Sequence, residues 1–154
     1  MMAENGAEIL LVEDDPNDAE LIKRAFKKRK LAGGMVHLKD GAEAVEYVMR
    51  YCCCDRPEGP LLPSVVLLDL KLPKLNGFEV LQRIKADGCT KSIPVVILTS
   101  SQEESDIVEA YALGANSYVT KPIDCDAFSK TVVDMGSYWL ELNRTQREPE
   151  GGAR

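Results

Sequence analysis

The most regular feature of the chain is a set of short apolar runs separated by segments in which apolar residues recur every three or four positions. Strongly apolar runs lie at Ile9–Val12, Val65–Leu68 and 95–98, and weaker ones at Met35–Leu38 and 115–120. Uninterrupted runs of this length indicate strands that are buried on both faces. Because helical segments alternate with them, we predict an α/β fold in which helices cover both faces of a five-stranded parallel sheet.

Helix signals fill the gaps between the predicted strands. The first helix should begin after Asp15, an N-cap residue followed by proline. The second is predicted at 42–50, the third at Gly77–Ala86, and the fourth after Ser101 in an acidic segment. The fifth begins near Asp124 and should turn one apolar stripe inward, formed by Phe128, Val132, Met135, Trp139 and Leu142.

Composition narrows the classes of protein to which the chain can belong. Its 154 residues, 45% of them hydrophobic, suffice for one core. A net charge of -6 argues against nucleic acid or an anionic membrane as the primary partner. We find no apolar run of the roughly 18 residues that a membrane span needs, and no signal peptide at the start, so we expect a cytoplasmic protein. The five cysteines are odd in number and are interpreted as reduced.

Polar residues that can bind metal or react follow four of the predicted strands. Glu13 and Asp14 come after the first, Asp69 after the third, Thr99 after the fourth and Lys121 after the fifth. In an open parallel sheet, the functional site lies beyond the carboxyl ends of the strands. We therefore expect an acidic pair, a lone carboxylate, a hydroxyl and an amine to meet at one edge.

Carboxylates gathered at one edge need a counter-charge. Two of them about 4 Å apart repel by roughly 4 kcal/mol at an effective dielectric constant of about 20. Mg²⁺ prefers oxygen ligands and commonly uses one or two carboxylates together with a phosphate. We therefore predict a Mg²⁺ site formed by Glu13, Asp14 and Asp69, with the backbone carbonyl of Lys71 within reach.

Once its charge is offset by the ion, Asp69 can attack phosphorus and become an aspartyl phosphate. Lys121 would balance the phosphoryl charge and Thr99 would donate a hydrogen bond to it. Each residue alone has a simpler interpretation as a helix cap, a turn or a strand end. The single histidine, His37, lies on a weak strand away from these ends and is interpreted as structural.

Four sequence motifs carry a family resemblance: ILLVEDDPND, VVLLDLKLPKLNGFEVL, PVVILTSS and YVTKP. With them, residues 7–143 closely resemble the receiver domain of two-component response regulators. The resemblance implies a flavodoxin-like, doubly wound parallel sheet in the order 2-1-3-4-5 with five helices. It also implies that the chain is a phosphoacceptor that assists its own phosphorylation and dephosphorylation, not an enzyme.

The resemblance also assigns roles to individual residues. Lys71 and Ser101 occupy positions whose side chains tune the rate of autodephosphorylation in the family. The remaining roles are the acidic metal-binding pair Glu13 and Asp14, the phosphorylated Asp69, the switch hydroxyl Thr99, the switch aromatic Tyr118, and Lys121 before a cis proline, Pro122.

The predicted domain organisation is an extension at 1–6, a receiver domain at 7–143 and a disordered tail at 144–154. No effector domain fits after Asn143, so we expect a single-domain regulator that acts through protein contact. The long loop before the third strand and the extended last helix resemble regulators that pair with phytochrome-type sensor histidine kinases. Members of that group often form homodimers through the fourth helix, fifth strand and fifth helix, so the resemblance implies a homodimer.

Three other hypotheses fit parts of the sequence. A haloacid-dehalogenase-like phosphatase also uses an aspartate nucleophile and Mg²⁺, but it wants an acid where Lys71 stands. A flavodoxin-like binding module would need a glycine-rich phosphate loop after Val12, where this chain has acids. A receiver-like scaffold that works without phosphorylation would not need the six site positions.

Overall fold

The structure is a computed structural model, and it describes residues 9–30, 34–52 and 62–144, without the side chains of residues 51 and 52. The predicted extension at 1–6 and the predicted tail, apart from residue 144, fall outside the described residues. So do Cys53 and Cys54 in the loop before the third strand. The proposed domain boundaries therefore stay predictions.

Strands and helices alternate along the described chain. The strands are β1 at Ile9–Val12, β2 at Met35–Leu38, β3 at Val65–Leu68, β4 at Val95–Thr99 and β5 at Ser117–Thr120. The helices are α1 at Pro16–Lys28, α2 at Gly41–Val48, α3 at Gly77–Ala86, α4 at Glu104–Ala112 and α5 at Cys125–Ser137. A 3-10 turn follows α2 at Met49–Cys52, and a π-helical turn follows α5 at Tyr138–Leu142.

The five strands form one parallel sheet in the order β2-β1-β3-β4-β5, which confirms the predicted fold. Val12 pairs with Leu68, and Thr99 pairs with Thr120. The residues that follow these pairs therefore leave the sheet at the same edge. This register brings polar residues from distant parts of the sequence to the same edge of the sheet.

Each face of the sheet has its own apolar layer. Leu10 and Val12 point into the layer under α2, α3 and α4, while Ile9 and Leu11 point into the layer under α1 and α5. All four side chains are at most 1% exposed. Because both faces of β1 are covered, its sequence is uniformly apolar and not alternating.

Side chains that accept backbone hydrogen bonds define where the helices begin. Asp15, Asp40 and Asp124 cap α1, α2 and α5, and Asn76 forms a capping box with Glu79 at the start of α3. Such caps satisfy N–H groups that have no partner inside the helix. The predicted helix starts at Asp15 and Asp124 are confirmed.

Three details differ from the predictions. Helix α2 ends at Val48 because the chain tightens there into a 3-10 turn. Strand β5 begins at Ser117, and the preceding Asn116 instead accepts a hydrogen bond from the backbone of Val95. Leu142 was predicted to face inward, but it is 72% exposed because the π-helical turn breaks the 3.6-residue period.

No helix within the described ranges combines the length and apolar character that crossing a membrane requires.

A glycine allows α3 to begin against the end of β3. The N–H of Gly77 donates to the carbonyl of Leu70 over 2.8 Å. A Cβ at this position would collide with the carbonyl oxygen of Asp69 and lie 2.6 Å from the Cα of Leu70. The backbone that carries Asp69 is thus held by an approach that only glycine permits.

We expect Gly77→Ala to lower the free energy of unfolding by about 1–3 kcal/mol, because the added methyl group forces the backbone apart. Gly88→Ala is the matched control, since a Cβ at Gly88 would meet nothing within 4 Å. Urea denaturation measures both variants. Equal stability of Gly77→Ala and the parent protein would contradict the packing described for this turn.

Candidate functional site

The ends of four strands bring the predicted polar residues together at one edge of the sheet. Glu13 follows β1, Asp69 follows β3, Thr99 ends β4 and Lys121 follows β5. The Nζ atom of Lys121 lies 3.1 Å from Oδ2 of Asp69 and 2.9 Å from Oε1 of Glu13. The contact with Glu13 joins residues that are more than one hundred positions apart in the sequence.

Three carboxylates form a cluster with the chemistry of a divalent metal site. One oxygen each from Glu13, Asp14 and Asp69 lies within 4.8 Å of the others. Glu13 and Asp69 are buried, whereas Asp14 is exposed and keeps the cluster open to solvent. Hard oxygen donors around a partly open space fit a hard divalent cation.

Burial and mutual repulsion raise the free energy of the charged carboxylates in this cluster. Burial of Glu13, followed by the charge of Asp69, raises the pKa of Glu13 to about 7. The contact with Lys121 acts in the opposite direction but does not cancel these effects. The cluster therefore carries an excess of negative charge that one ammonium group does not balance.

Lys121 contacts a third carboxylate, on α1, that was not among the predicted site residues. Its Nζ atom donates to Oδ2 of Asp18 over 2.7 Å. The Lys121 side chain is only 8% exposed. Burial by itself lowers the pKa of Lys121, but its bonds to Asp18, Asp69 and Glu13 outweigh burial and raise it. The lysine is thus charged.

The backbone around Asp69 is anchored on both sides. Its N–H donates to the carbonyl of Val12 over 3.1 Å, which continues the pairing of β1 and β3. The N–H of Lys71 donates to Oδ1 of Asp69 over 3.4 Å. The side chain of Lys71 is exposed. The Asp69 carboxylate is therefore oriented with Oδ1 toward its own loop and Oδ2 toward Lys121.

A hydrogen-bonded network leads from Thr99 to α4. Thr99 is fully buried, and its Oγ1 accepts from the N–H of Ser101 over 3.4 Å. The carbonyl of Ser101 accepts from the Tyr118 hydroxyl over 3.0 Å. Its Oγ donates to Oδ2 of Asp106 over 2.6 Å and accepts from the N–H of Glu103 over 3.3 Å. Ser101 therefore connects the end of β4 to both β5 and α4.

Tyr118 is a partly buried member of this network. Burial raises the pKa of its hydroxyl group, which donates to the carbonyl of Ser101. The neutral phenol is therefore retained as a hydrogen-bond donor.

The expectation of a cis bond before Pro122 is wrong, because the described peptide bonds include none in the cis form. The trans form is intrinsically favoured by about 0.5–1 kcal/mol at such bonds. Lys121 reaches the site without a cis bond: its N–H donates to the carbonyl of Thr99 over 2.7 Å while its Nζ contacts Asp69.

His37 lies closer to the site than its sequence position suggested. Its Nε2 is 2.8 Å from the carbonyl oxygen of Glu13, to which an Nε2–H group donates. This contact ties β2 to the acidic segment. It agrees with the structural role that we predicted for His37.

Residues 9–133 match the response regulator receiver domain family. This chain belongs to that family. A curated relative, the probable methanogenesis regulatory protein FilR2 of Methanothrix harundinacea, is 41% identical over 143 residues, which cover 93% of this chain and 90% of FilR2. The chain is thus a response regulator with a receiver domain, as the sequence motifs predicted.

Solved response regulators share the receiver fold over nearly their whole length. The phosphorylated cyanobacterial phytochrome response regulator RcpA is 36% identical with a TM-score of 0.80, covering 90% of this chain and 97% of RcpA. The Mn²⁺-bound form of Rcp1, a response regulator known from Synechocystis, is 36% identical with a TM-score of 0.79, covering 89% and 96%. This receiver is therefore related to phytochrome response regulators, and Rcp1 among its relatives holds a divalent metal.

Two parts of the receiver site could not be singled out from the sequence. Asp18 stands in the first turn of α1, where a helix dipole already explains an acidic residue. Asp106 stands in the first turn of α4 for the same apparent reason. Neither contact follows a recognised sequence spacing.

We expect Ser101→Ala to lower the free energy of unfolding by about 1–2 kcal/mol, because it removes two hydrogen bonds that hold the start of α4. Ser105→Ala is the control, since Ser105 is an exposed serine on the same helix. Urea denaturation gives the stability, and amide hydrogen exchange reports the first turn of α4. Unchanged exchange in Ser101→Ala would contradict the role of these two bonds in holding the start of α4.

Proposed function

We propose that Asp69 accepts a phosphoryl group from a phosphohistidine of a sensor histidine kinase, in a reaction that uses Mg²⁺. The observation that carries this proposal is the buried Asp69 carboxylate, held 3.1 Å from the Lys121 ammonium within the acidic cluster. Phosphoryl transfer depends on positioning and charge stabilisation more than on covalent chemistry by the protein. This constellation provides both.

Glu13, Asp14 and Asp69 would hold the Mg²⁺ ion, together with the backbone carbonyl of Lys71. When bound, the ion neutralises the carboxylates and the phosphoryl oxygens. The donor set supports this assignment because carboxylate and carbonyl oxygens are the ligands that Mg²⁺ prefers. The exposed position of Asp14 leaves an approach for the phosphodonor.

In the transfer step, a carboxylate oxygen of Asp69 attacks phosphorus in line with the leaving group. The bond from phosphorus to the kinase imidazole breaks, and its electron pair stays on the imidazole nitrogen. Lys121 and Thr99 donate hydrogen bonds to the phosphoryl oxygens. Attack of water on phosphorus later releases phosphate and restores the Asp69 carboxylate. The chain is thus a phosphoacceptor that assists both steps of its own modification.

Phosphorylation would be communicated through Thr99 and Tyr118. Thr99 is buried next to the site, and Ser101 bonds both to its Oγ1 and to the Tyr118 hydroxyl. Movement of the Thr99 hydroxyl toward a phosphoryl oxygen would disturb these bonds. The surface formed by α4 and β5 would then change its affinity for a partner.

A phytochrome-type kinase is the partner that the relatives favour. RcpA, a phytochrome response regulator whose phosphorylated form is known, shares the fold of this chain over nearly its whole length. We place the reaction in the cytoplasm, where kinase domains have access to ATP. A phosphotransfer profile against the histidine kinases of the source organism identifies the partner, and preference for a kinase without a phytochrome module would contradict the pairing.

Homodimer formation through α4, β5 and α5 completes the proposal. Val108 and Tyr111, both on α4, are 59% and 50% exposed, although they are large hydrophobic residues. A second copy of the chain would remove these side chains from water. The apolar contact would thereby stabilise a dimer.

The haloacid-dehalogenase-like alternative is not favoured. That chemistry needs a second acid two residues after the nucleophile, and Lys71 stands there with an exposed side chain. The phosphorylation-independent scaffold differs in another way, because it would not be labelled by a phosphodonor.

Asp69→Asn should abolish labelling by acetyl phosphate and binding of beryllofluoride in the presence of Mg²⁺, because the amide is a poor nucleophile. Asp126→Asn, which alters an exposed carboxylate on α5, should be labelled like the parent protein. Intact-mass spectrometry measures the added phosphoryl group, and a chelator should prevent its appearance. Labelling of Asp69→Asn at the parent level would exclude Asp69 as the acceptor, and an unlabelled parent protein would favour the scaffold.

Tyr111→Asp should weaken dimer formation at least about tenfold, because a charge replaces an apolar side chain within the proposed contact. Gln82→Asp introduces the same charge at an exposed position on α3, outside that contact, and serves as the control. Sedimentation velocity with and without beryllofluoride gives the dimer dissociation constant. Equal constants for Tyr111→Asp and the parent protein would rule out this surface.

A further inference from the structure

The ammonium group of Lys121 is surrounded by carboxylates before any phosphoryl group arrives. A lysine ammonium has three N–H donors and accepts nothing. Three carboxylates surround it, at 2.7 Å for Asp18, 2.9 Å for Glu13 and 3.1 Å for Asp69. A phosphoryl oxygen on Asp69 therefore meets an ammonium group whose charge is already shared with Asp18 and Glu13.

The three carboxylates are not equivalent. Glu13 and Asp69 belong to the cluster that fits a divalent cation, whereas Asp18 lies outside that cluster. A bound cation offsets the first two charges but leaves Asp18 facing Lys121. Asp18 also makes the shortest of the three contacts, and it approaches from α1, on a different element from Asp69.

We infer that Asp18 is a positioning residue that competes with the phosphoryl group for Lys121 and thereby shortens the lifetime of the phosphorylated state. This inference rests on the proposed function of Asp69. The positive charge of Lys121 is shared between Asp18 on α1 and the phosphoryl group. Lys121 therefore binds the phosphoryl group less tightly than a lysine without such a second carboxylate would. Asp18 does not touch the reacting atoms and acts only through Lys121.

Asp18→Asn is the decisive variant because it keeps the size of the side chain and removes its charge. We expect beryllofluoride to bind roughly three- to tenfold more tightly, and the phosphorylated state to persist longer by a similar factor, as the loss of one partly buried ion pair implies. Acetyl phosphate is the phosphodonor, so that contacts with a kinase do not enter the measurement. Asp18→Glu keeps the carboxylate and should return both quantities toward the parent values.

Asp15→Asn is the matched control. It also removes one negative charge at the start of α1, where Asp15 is exposed. Asparagine caps a helix about as well as aspartate, so the bonds from the N–H groups of Asn17 and Asp18 can persist. This variant reports the effect of charge at the helix start without the contact to Lys121.

A second measurement needs no phosphodonor. The NMR signal of the Lys121 side-chain amine should exchange faster with water in Asp18→Asn than in Asp15→Asn, because one of its three acceptors has lost its charge. A merely structural role of Asp18 in α1 would not produce this signature at Lys121. Unchanged exchange would overturn the inference.

The outcomes separate this inference from the function on which it rests. Failure of the parent protein to bind beryllofluoride or to be phosphorylated would remove the proposed function and the inference together. A parent protein that is phosphorylated on Asp69, with equal lifetimes in the parent and Asp18→Asn, would overturn the inference alone. An equal gain in Asp15→Asn and Asp18→Asn would also overturn it, because general charge and not the contact with Lys121 would then be responsible.

Discussion

The structure of this receiver depends on one buried cation, the Lys121 ammonium. Glu13 and Asp69 are each less than 10% exposed at the ends of neighbouring strands. Buried carboxylates are tolerated only when they are paired, and their mutual repulsion would be several kcal/mol. Lys121 pairs with both, although it follows β5, which lies two strands away from β3 in the sheet. The order and register of the strands are therefore conditions for the electrostatic balance of the site.

That balance is incomplete, because one ammonium group faces three carboxylates. The elevated pKa of Glu13 shows that burial and the charge of Asp69 prevail over the attraction to Lys121. A divalent cation would remove this excess, and Asp14 could supply a further oxygen on the open side. The same excess would repel a phosphoryl group if no cation were present. The proposed phosphoryl acceptance therefore depends on the proposed cation, which would offset this excess of negative charge.

The sequence predicted the parts of the fold that arise from local pattern. Ile9–Val12 and Val65–Leu68 were found at the predicted residues because strands covered on both faces are uniformly apolar. The exposed Leu142 was missed because a π-helical turn is not encoded by a 3.6-residue period. Asp18 was missed for another reason: its partner Lys121 lies 103 positions away, and an acid in a first turn already has a local explanation. The sequence motifs identified the site residues that follow strands. The contact that Asp18 makes from α1 was visible only in the structure.

The bonds of Ser101 explain how an event at Asp69 can reach the surface of the receiver. Its N–H contacts Thr99, its carbonyl contacts Tyr118, and its hydroxyl holds the first turn of α4 through Asp106. Because these three bonds share one residue, a displacement of Thr99 cannot be absorbed by Thr99 alone. Either the turn that holds α4 moves with it, or the Tyr118 hydroxyl loses its acceptor. In both cases the surface formed by α4 and β5 would change, and this is how the proposed switch would convert a small shift of a buried hydroxyl into a difference that a binding partner detects.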